Sequence, residues 1–432
     1  MFPISKRARP LSRAALAVAL ATGTAGAAAM LASAPAVAKA AKEEAPKVSP
    51  GFAKVAGPLQ TALAAAQKAK PDAAGIAAIK QQVDAALAAA TTPDDKFFGG
   101  QFALNVSQLD NDKDMQGKGL QAMIDSGKLA GADLGKYQFF LGSIKMDAKD
   151  YAGAQAAFSA AMGNGYTGND VGVLLAEAYF GQQNNAAGFD ALTKVFEAKK
   201  AAGALAPAQW YARGISIAYR AKQYDQAFRF GTGLVEAYPT KDNWGDAISI
   251  ARLAGKYQAQ ETLDLMRLMG RTGSFRDTSD YSEYLQAADA RRSPGEVLKV
   301  LEAGVAAGKL NASDVFVTEN KTQANARLAA DKAGLPALER DARAPAATGV
   351  TVVAAADAFL SYDDNAKAAD LYKIALTKPG IDADRAMTRL GIAQVGLGQY
   401  ADAQATFAKV GGVRKSIAQL WSIYAGQKAK GG

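Results

Sequence analysis

Arg389-Leu390-Gly391-Ile392-Ala393, continued through Gly398-Gln399-Tyr400-Ala401-Asp402-Ala403-Gln404-Ala405-Thr406-Phe407, sets a Leu-Gly pair ahead of Tyr-x-x-Ala-x-x-x-Phe. The same residue types stand at the same offsets much earlier, where Leu141-Gly142 leads to Asp150-Tyr151-Ala152-Gly153-Ala154-Gln155-Ala156-Ala157-Phe158. Apolar residues three and four apart, interrupted by Gly and Asp, describe two short helices joined by a turn. Gly and Ala at fixed offsets sit where paired helices can approach closely, and the aromatic residues are expected to fill the holes between successive units.

Weaker copies lie between these two. Leu175-Ala176 and Tyr179 lead to Gly188 and Leu192, Tyr224-Asp225-Gln226-Ala227 leads to Pro239, Trp244 precedes Tyr257, and Val297 and Leu301 follow Tyr281 and Leu285. A further copy runs from Ala355-Ala356 through Asp364-Asn365-Ala366-Lys367-Ala368 to Tyr372 and Ala375. The small residue of each second helix falls at positions 154, 188, 227, 260, 297, 368 and 403, spaced 34, 39, 33, 37, 71 and 35. Gln260 and Val297 depart from the small-residue rule. The interval of 71 implies a missing unit around Leu328 to Ala342, and an additional unit is expected around Gly119 and Met123.

This pattern resembles the tetratricopeptide repeat family, whose unit is a helical hairpin of about 34 residues. The resemblance is strong over residues 137–262 and 350–410 and topological elsewhere. It implies an all-α fold, a right-handed α-solenoid of hairpins, with about eight or nine repeats over 97–412. Ile417, Leu420, Trp421, Ile423 and Tyr424 share one face of a helix from about Lys415 to Gln427. Residues 413–432 are therefore expected to be a capping helix and tail that cover the last unit's apolar side. Upstream, Gln60 to Lys68 and Ala73 to Ala90, turned at Pro71-Asp72, predict an N-terminal helical hairpin over 58–96.

At the N-terminus, Lys6, Arg7, Arg9 and Arg13 precede an uncharged stretch from Ala14 to Ala38 that ends in Ala36-Val37-Ala38. A basic segment, an apolar segment and a small-x-small site define a secretory signal over 1–38, with cleavage expected after Ala38. A periplasmic location follows from it as an expectation, with a flexible Lys, Glu, Ala and Pro tether over 39–57. The signal carries four of the cations, so the formal charge of +9 falls to 46 basic against 41 acidic side chains in the processed chain. Such a mild excess does not point to nucleic acid, and no stable membrane span is expected after processing.

Chemistry is restricted by two zeros: the chain has no Cys and no His. Thiolate nucleophiles, zinc-thiolate sites and imidazole bases are excluded, and no phosphate loop or nucleophile elbow occurs. Gly231-Thr232-Gly233 reads as helix packing, and Asp110-Asn111-Asp112-Lys113-Asp114 as a turn whose Asp caps the next helix. The expectation is a non-catalytic protein without cofactor or metal.

In the family resembled, first helices line a groove for proteins or peptides. Carried over, the groove positions are Phe139, Ser143 and Met146, then Val173, Glu177 and Phe180, then Ser216, Tyr219 and Arg220, then Ser249 and Arg252. Glu177 reads as a solvated or partner-facing carboxylate. The Lys and Asn of a peptide-carboxylate clamp are missing from these positions. The reading is a periplasmic scaffold for a protein or extended peptide in envelope assembly. Its alternatives are an accessory subunit or enzyme acting on cell-wall polymer and an N-terminally membrane-anchored assembly component.

Overall fold

The computed structural model describes residues 46–69 and 71–431. The expected signal at 1–38 and the start of the tether lie outside the described residues. Twenty α-helices and one 3₁₀ turn, with no strand among the described residues, are divided between two compact units, the boundary falling between Ala198 and Lys199.

In the first unit, α1 (Pro50–Lys68) and α2 (Ala73–Ala89) form the N-terminal hairpin. Three further hairpins follow: α3 (Pro93–Ser107) with α4 (Lys113–Asp125), α5 (Gly131–Asp147) with α6 (Tyr151–Gly163), and α7 (Val171–Gly181) with α8 (Asn185–Ala201). The first hairpin begins earlier than the sequence pattern predicts. Ser49 caps α1 by accepting from the Phe52 amide at 3.2 Å, and Phe52, Leu59 and Leu63 are buried on one face. Residues 50–57 are therefore helix rather than tether. The stretch just before it is tied down too, since the Asp95 carboxylate accepts from the Ser49 amide at 2.9 Å.

The repeat is visible in backbone and packing alike. At the turn within successive hairpins one residue takes left-handed backbone: Asn111, Lys149, Gln183, Lys222, Lys256, Asp289, Asp363 and Gly398. Their spacings are 38, 34, 39, 34, 33, 74 and 35 residues. Only the last is glycine, the residue for which that conformation is free of strain. The Leu-Gly pairs explain themselves through close approach: a Cβ on Gly142 would lie 2.7 Å from the Phe158 ring, and one on Gly391 would lie 2.4 Å from Phe407. Ala154 and Ala403, at the small-residue offset, are fully buried.

The second unit contains α9 (Ala208–Arg220), α10 (Tyr224–Ala237), α11 (Lys241–Gly255), α12 (Ala259–Thr272), α13 (Thr278–Ala288) and α14 (Pro294–Ala306), paired as hairpins in that order. After them stands a single helix, α15 (Val315–Arg343), 29 residues long. The missing repeat expected around Leu328 to Ala342 is thus one uninterrupted helix, not a hairpin, and it accounts for the interval of 74. Two more hairpins follow, α16 (Gly349–Ser361) with α17 (Asn365–Ala375) and α18 (Ala383–Gly396) with α19 (Tyr400–Phe407), then a 3₁₀ turn (Gly412–Arg414) and α20 (Lys415–Ala429).

Helix α20 does more than the expected cap. It covers α19 and also packs on α10, α11, α12 and α18. Ile417, Leu420, Trp421 and Tyr424 are buried as the sequence pattern requires, while Ile423 is only half-buried.

Candidate binding site

The eleven expected groove residues fall on α5, α7, α9 and α11, but they are not equally available. Phe139 and Val173 are core residues, 4% and 5% exposed. Phe139 lies 5.9 Å from the Phe158 ring and 5.0 Å from Tyr166, so it fills a hole between helices instead of facing a groove. Phe180 is half-buried against Phe189, with ring centroids 5.3 Å apart. Ser143, Met146 and Glu177 in the first unit, and Ser216, Tyr219 and Ser249 in the second, are likewise half-buried.

The two arginines separate. Arg220 is exposed, its Nε donating to the Ser216 carbonyl of its own helix at 3.3 Å. Arg252 is spent within the fold: its guanidinium pairs with Asp280 at 3.4 Å and with Glu283, tying α11 to α13. The expectation that Arg252 is a groove position is therefore corrected: its guanidinium is engaged by Asp280 and Glu283.

The face formed by α10, α11 and α12 holds the chain's own last helix. Trp421 Nε1 donates to the Asp264 carbonyl at 2.9 Å, and Gln427 Nε2 donates to the Val235 carbonyl at 2.7 Å. The Tyr424 ring stands edge-on to Trp244, centroids 6.2 Å apart. An amphipathic helix is thus held by aromatic packing plus hydrogen bonds to backbone carbonyls.

Beneath it runs a buried ionic network. Asp264, wholly buried on α12, accepts from Arg267 at 3.0 Å, from Arg389 at 3.0 Å and from Arg414 at 2.6 Å. Arg389 also reaches Asp357 at 2.8 Å, Arg414 reaches Glu261 at 2.9 Å, and Arg267 meets Glu296 at 2.7 Å. Arg385 completes the set on Asp357. Burial pushes the Asp264 carboxyl up, but the guanidinium groups of Arg389, Arg267 and Arg414 outweigh it and hold the group below the usual carboxylate range. Asp357 is held low in the same way by Arg389 and Arg385. Four arginines thus face four carboxylates, and the two aspartates are kept charged. A general acid is tuned in the opposite direction.

The repeat pattern gives no sign of this network. Its one local signal is Leu263-Asp264-Leu265-Met266-Arg267-Leu268, where opposite charges three apart interrupt an apolar run. The Asp110–Asp114 turn, by contrast, behaves as its sequence predicts: Asp112 caps α4 by accepting from the Met115 amide at 3.0 Å, and Lys80 bridges Asp110 and Asp112 at 2.6 Å each.

Where α12, α13 and α14 meet α16, α18 and α20, a cavity of about 450 Å³ opens to solvent. Phe275, Tyr281, Val300, Leu360, Ile392 and Trp421 supply its apolar walls. Arg271, Lys299, Lys309 and Asp363 stand at its exposed mouth.

No family model matches the chain. No curated protein matches it either. Among solved structures it is similar to the TPR2AB domain of yeast Sti1 in complex with pHSP90, at 14% identity over 70% of this chain and 97% of that one, with a TM-score of 0.25. It is also similar to the TPR domain of P58(IPK), at 11% identity over 88% of this chain and 98% of that one, TM-score 0.24. The APC/C hetero-tetramer Cut9–Hcn1 aligns at 11% identity over 88% of this chain and 86% of that one, TM-score 0.20. The hairpin pairing and the period of its turns, not these superpositions, define the fold as an all-α array of tetratricopeptide-like hairpins.

Proposed function

We propose that the protein is an exported, non-catalytic scaffold that binds a protein or an extended or helical peptide segment on the faces of its hairpins, in the cell envelope. The observation that carries this reading is α20 lying on α10, α11 and α12 through Trp421, Tyr424 and Gln427. A face that holds one amphipathic helix within the chain has the chemistry to hold such a segment from elsewhere. In the first unit, Ser143, Met146, Glu177 and Phe180 remain at least partly accessible on α5 and α7. Export is supported by Lys6, Arg7, Arg9 and Arg13 ahead of the uncharged stretch that ends in Ala36-Val37-Ala38. Among the described residues no helix is long and apolar enough to cross a membrane.

A photoreactive residue placed at Met146 or at Glu177 tests the reading when compared with the same residue at Lys194, exposed on α8. One discrete adduct from the first two positions and none from the third is expected in cells. Equal labelling from all three contradicts it. N-terminal sequencing of envelope protein is expected to begin at Lys39, and an intact Met1 chain in membranes would favour an anchored protein instead.

A further inference from the structure

We propose that the cavity of the second unit is a binding site for a small organic anion with an apolar body, of the aryl-alkyl carboxylate type. This goes beyond the scaffold reading and does not depend on it. A volume of about 450 Å³ lies in the range of small-ligand sites. The mouth carries three cations, Arg271, Lys299 and Lys309, against one carboxylate, Asp363. That carboxylate is shared between Lys299 and Arg271, the latter at 3.6 Å. Two positive charges are left in excess at the entrance, which selects an anion.

The floor has the opposite character. Phe275 and Tyr281 lie with ring centroids 4.3 Å apart, and Val300, Leu360, Ile392 and Trp421 line the cavity with them. Polar groups that reach the floor are already engaged. Arg267 is bound to Glu296 and Asp264, the Tyr284 hydroxyl donates to Glu296 at 2.9 Å, and the Ser361 hydroxyl donates to the Ala358 carbonyl at 2.7 Å. A sugar or a polyphosphate pushed inside would lose its hydration without finding these groups as new partners. A ligand with its charge at the mouth and a hydrocarbon or aromatic body inside satisfies both ends. Because α12–α14 supply one wall and α16, α18 and α20 the other, occupancy also favours the arrangement in which they meet.

Calorimetric titration of the full chain with 3-phenylpropionate, 3-phenylpropionamide and inorganic phosphate tests the proposal. Saturable one-to-one binding of the acid is expected, with the amide and phosphate each at least tenfold weaker. A Lys299→Glu, Lys309→Glu double variant should weaken the acid at least tenfold and leave the amide unchanged. Ala303→Trp, at the exposed rim, should block both. Circular dichroism melts establish that both variants stay folded. Absence of acid binding at millimolar concentration, equal binding of acid and amide, or an acid affinity indifferent to charge reversal overturns the proposal.

Discussion

On α5 of the first unit, Phe139 meets Phe158 and Tyr166, both within thirty residues of it along the chain. On α12 of the second unit, Asp264 meets Arg389 at a separation of 125 residues and Arg414 at 150. The first unit is a row in which each helix leans on its sequence neighbours, with apolar and aromatic residues doing the filling. The second begins as the same kind of row, but its C-terminal helices return to α10–α12, and a network of four arginines and four carboxylates, with Arg267, Arg389, Arg414, Asp264 and Glu296 buried, joins them on the way. A row has stability that is nearly a sum of local terms. Once its far end is packed on its middle, disturbing either end disturbs the whole.

The largest break in this contrast is expected from Asp264→Ala. It leaves three guanidinium groups around a buried site without their shared counter-charge, at a cost of about 3–5 kcal/mol. Urea denaturation followed by hydrogen exchange should show the second unit unfolding early while α5, α6 and α7 keep their protection.

Ala403→Trp and Ala154→Trp put the same overpacking into the same repeat position of the two units. Each costs about 1–3 kcal/mol. The second-unit variant should release α20 and lower protection as far away as α12, because α19 supports α20; the first-unit variant should loosen only α5 to α7. Identical reach in exchange measurements would erase the distinction.

Acid should act in the same direction. Asp264 and Asp357 are held below the ordinary carboxylate value in the folded state, so their stabilisation is present above about pH 4, where the unfolded carboxylates ionise. It is lost as pH falls through the lower folded-state values. Urea midpoints measured for the second unit between pH 7 and pH 3 should hold steady down to about pH 4 and then drop. A midpoint that rises on acidification would contradict the assignment.

The smallest effects separate the two groove arginines. Arg220→Ala should change stability by no more than about 0.5 kcal/mol. Arg252→Ala should cost about 1 kcal/mol by loosening α11 from α13, since Arg252 and Glu283 are partly exposed although Asp280 is buried. Thermal melts of the pair decide it.

Legibility in the sequence follows the same contrast. Leu-Gly, Tyr, Ala and Phe at repeated offsets are legible because they report contacts between neighbouring helices, but that Phe158 packs on Gly142 and Phe407 on Gly391 inside one hairpin, and not between successive units, is seen only in the structure. Helix α15 is not legible. Only Val317, Ala324 and Ala342 are buried along it, too few to mark a face, and Pro336 inside it looks like a break. The return of α20 is half legible: its apolar face is plain, but an apolar face does not say which helix it will cover. For the same reason Arg389 and Arg414 cannot be joined to Asp264 from the sequence, since no periodic signal links residues so far apart. The expected groove positions do fall on α5, α7, α9 and α11, whereas the burial of Phe139 and Val173 and the pairing of Arg252 depend on neighbours the repeat pattern leaves unspecified.

Native-state hydrogen exchange on the wild type and on Asp264→Asn tests the central claim most directly, because this substitution keeps the shape and removes the charge. If the second unit is closed through Asp264, amides in α12, α18 and α20 lose protection together and by the same factor, while those in α5 and α7 do not change. Loss confined to α12, with α18 and α20 as protected as before, would show that the charges merely decorate an array held by its neighbours and would contradict the account.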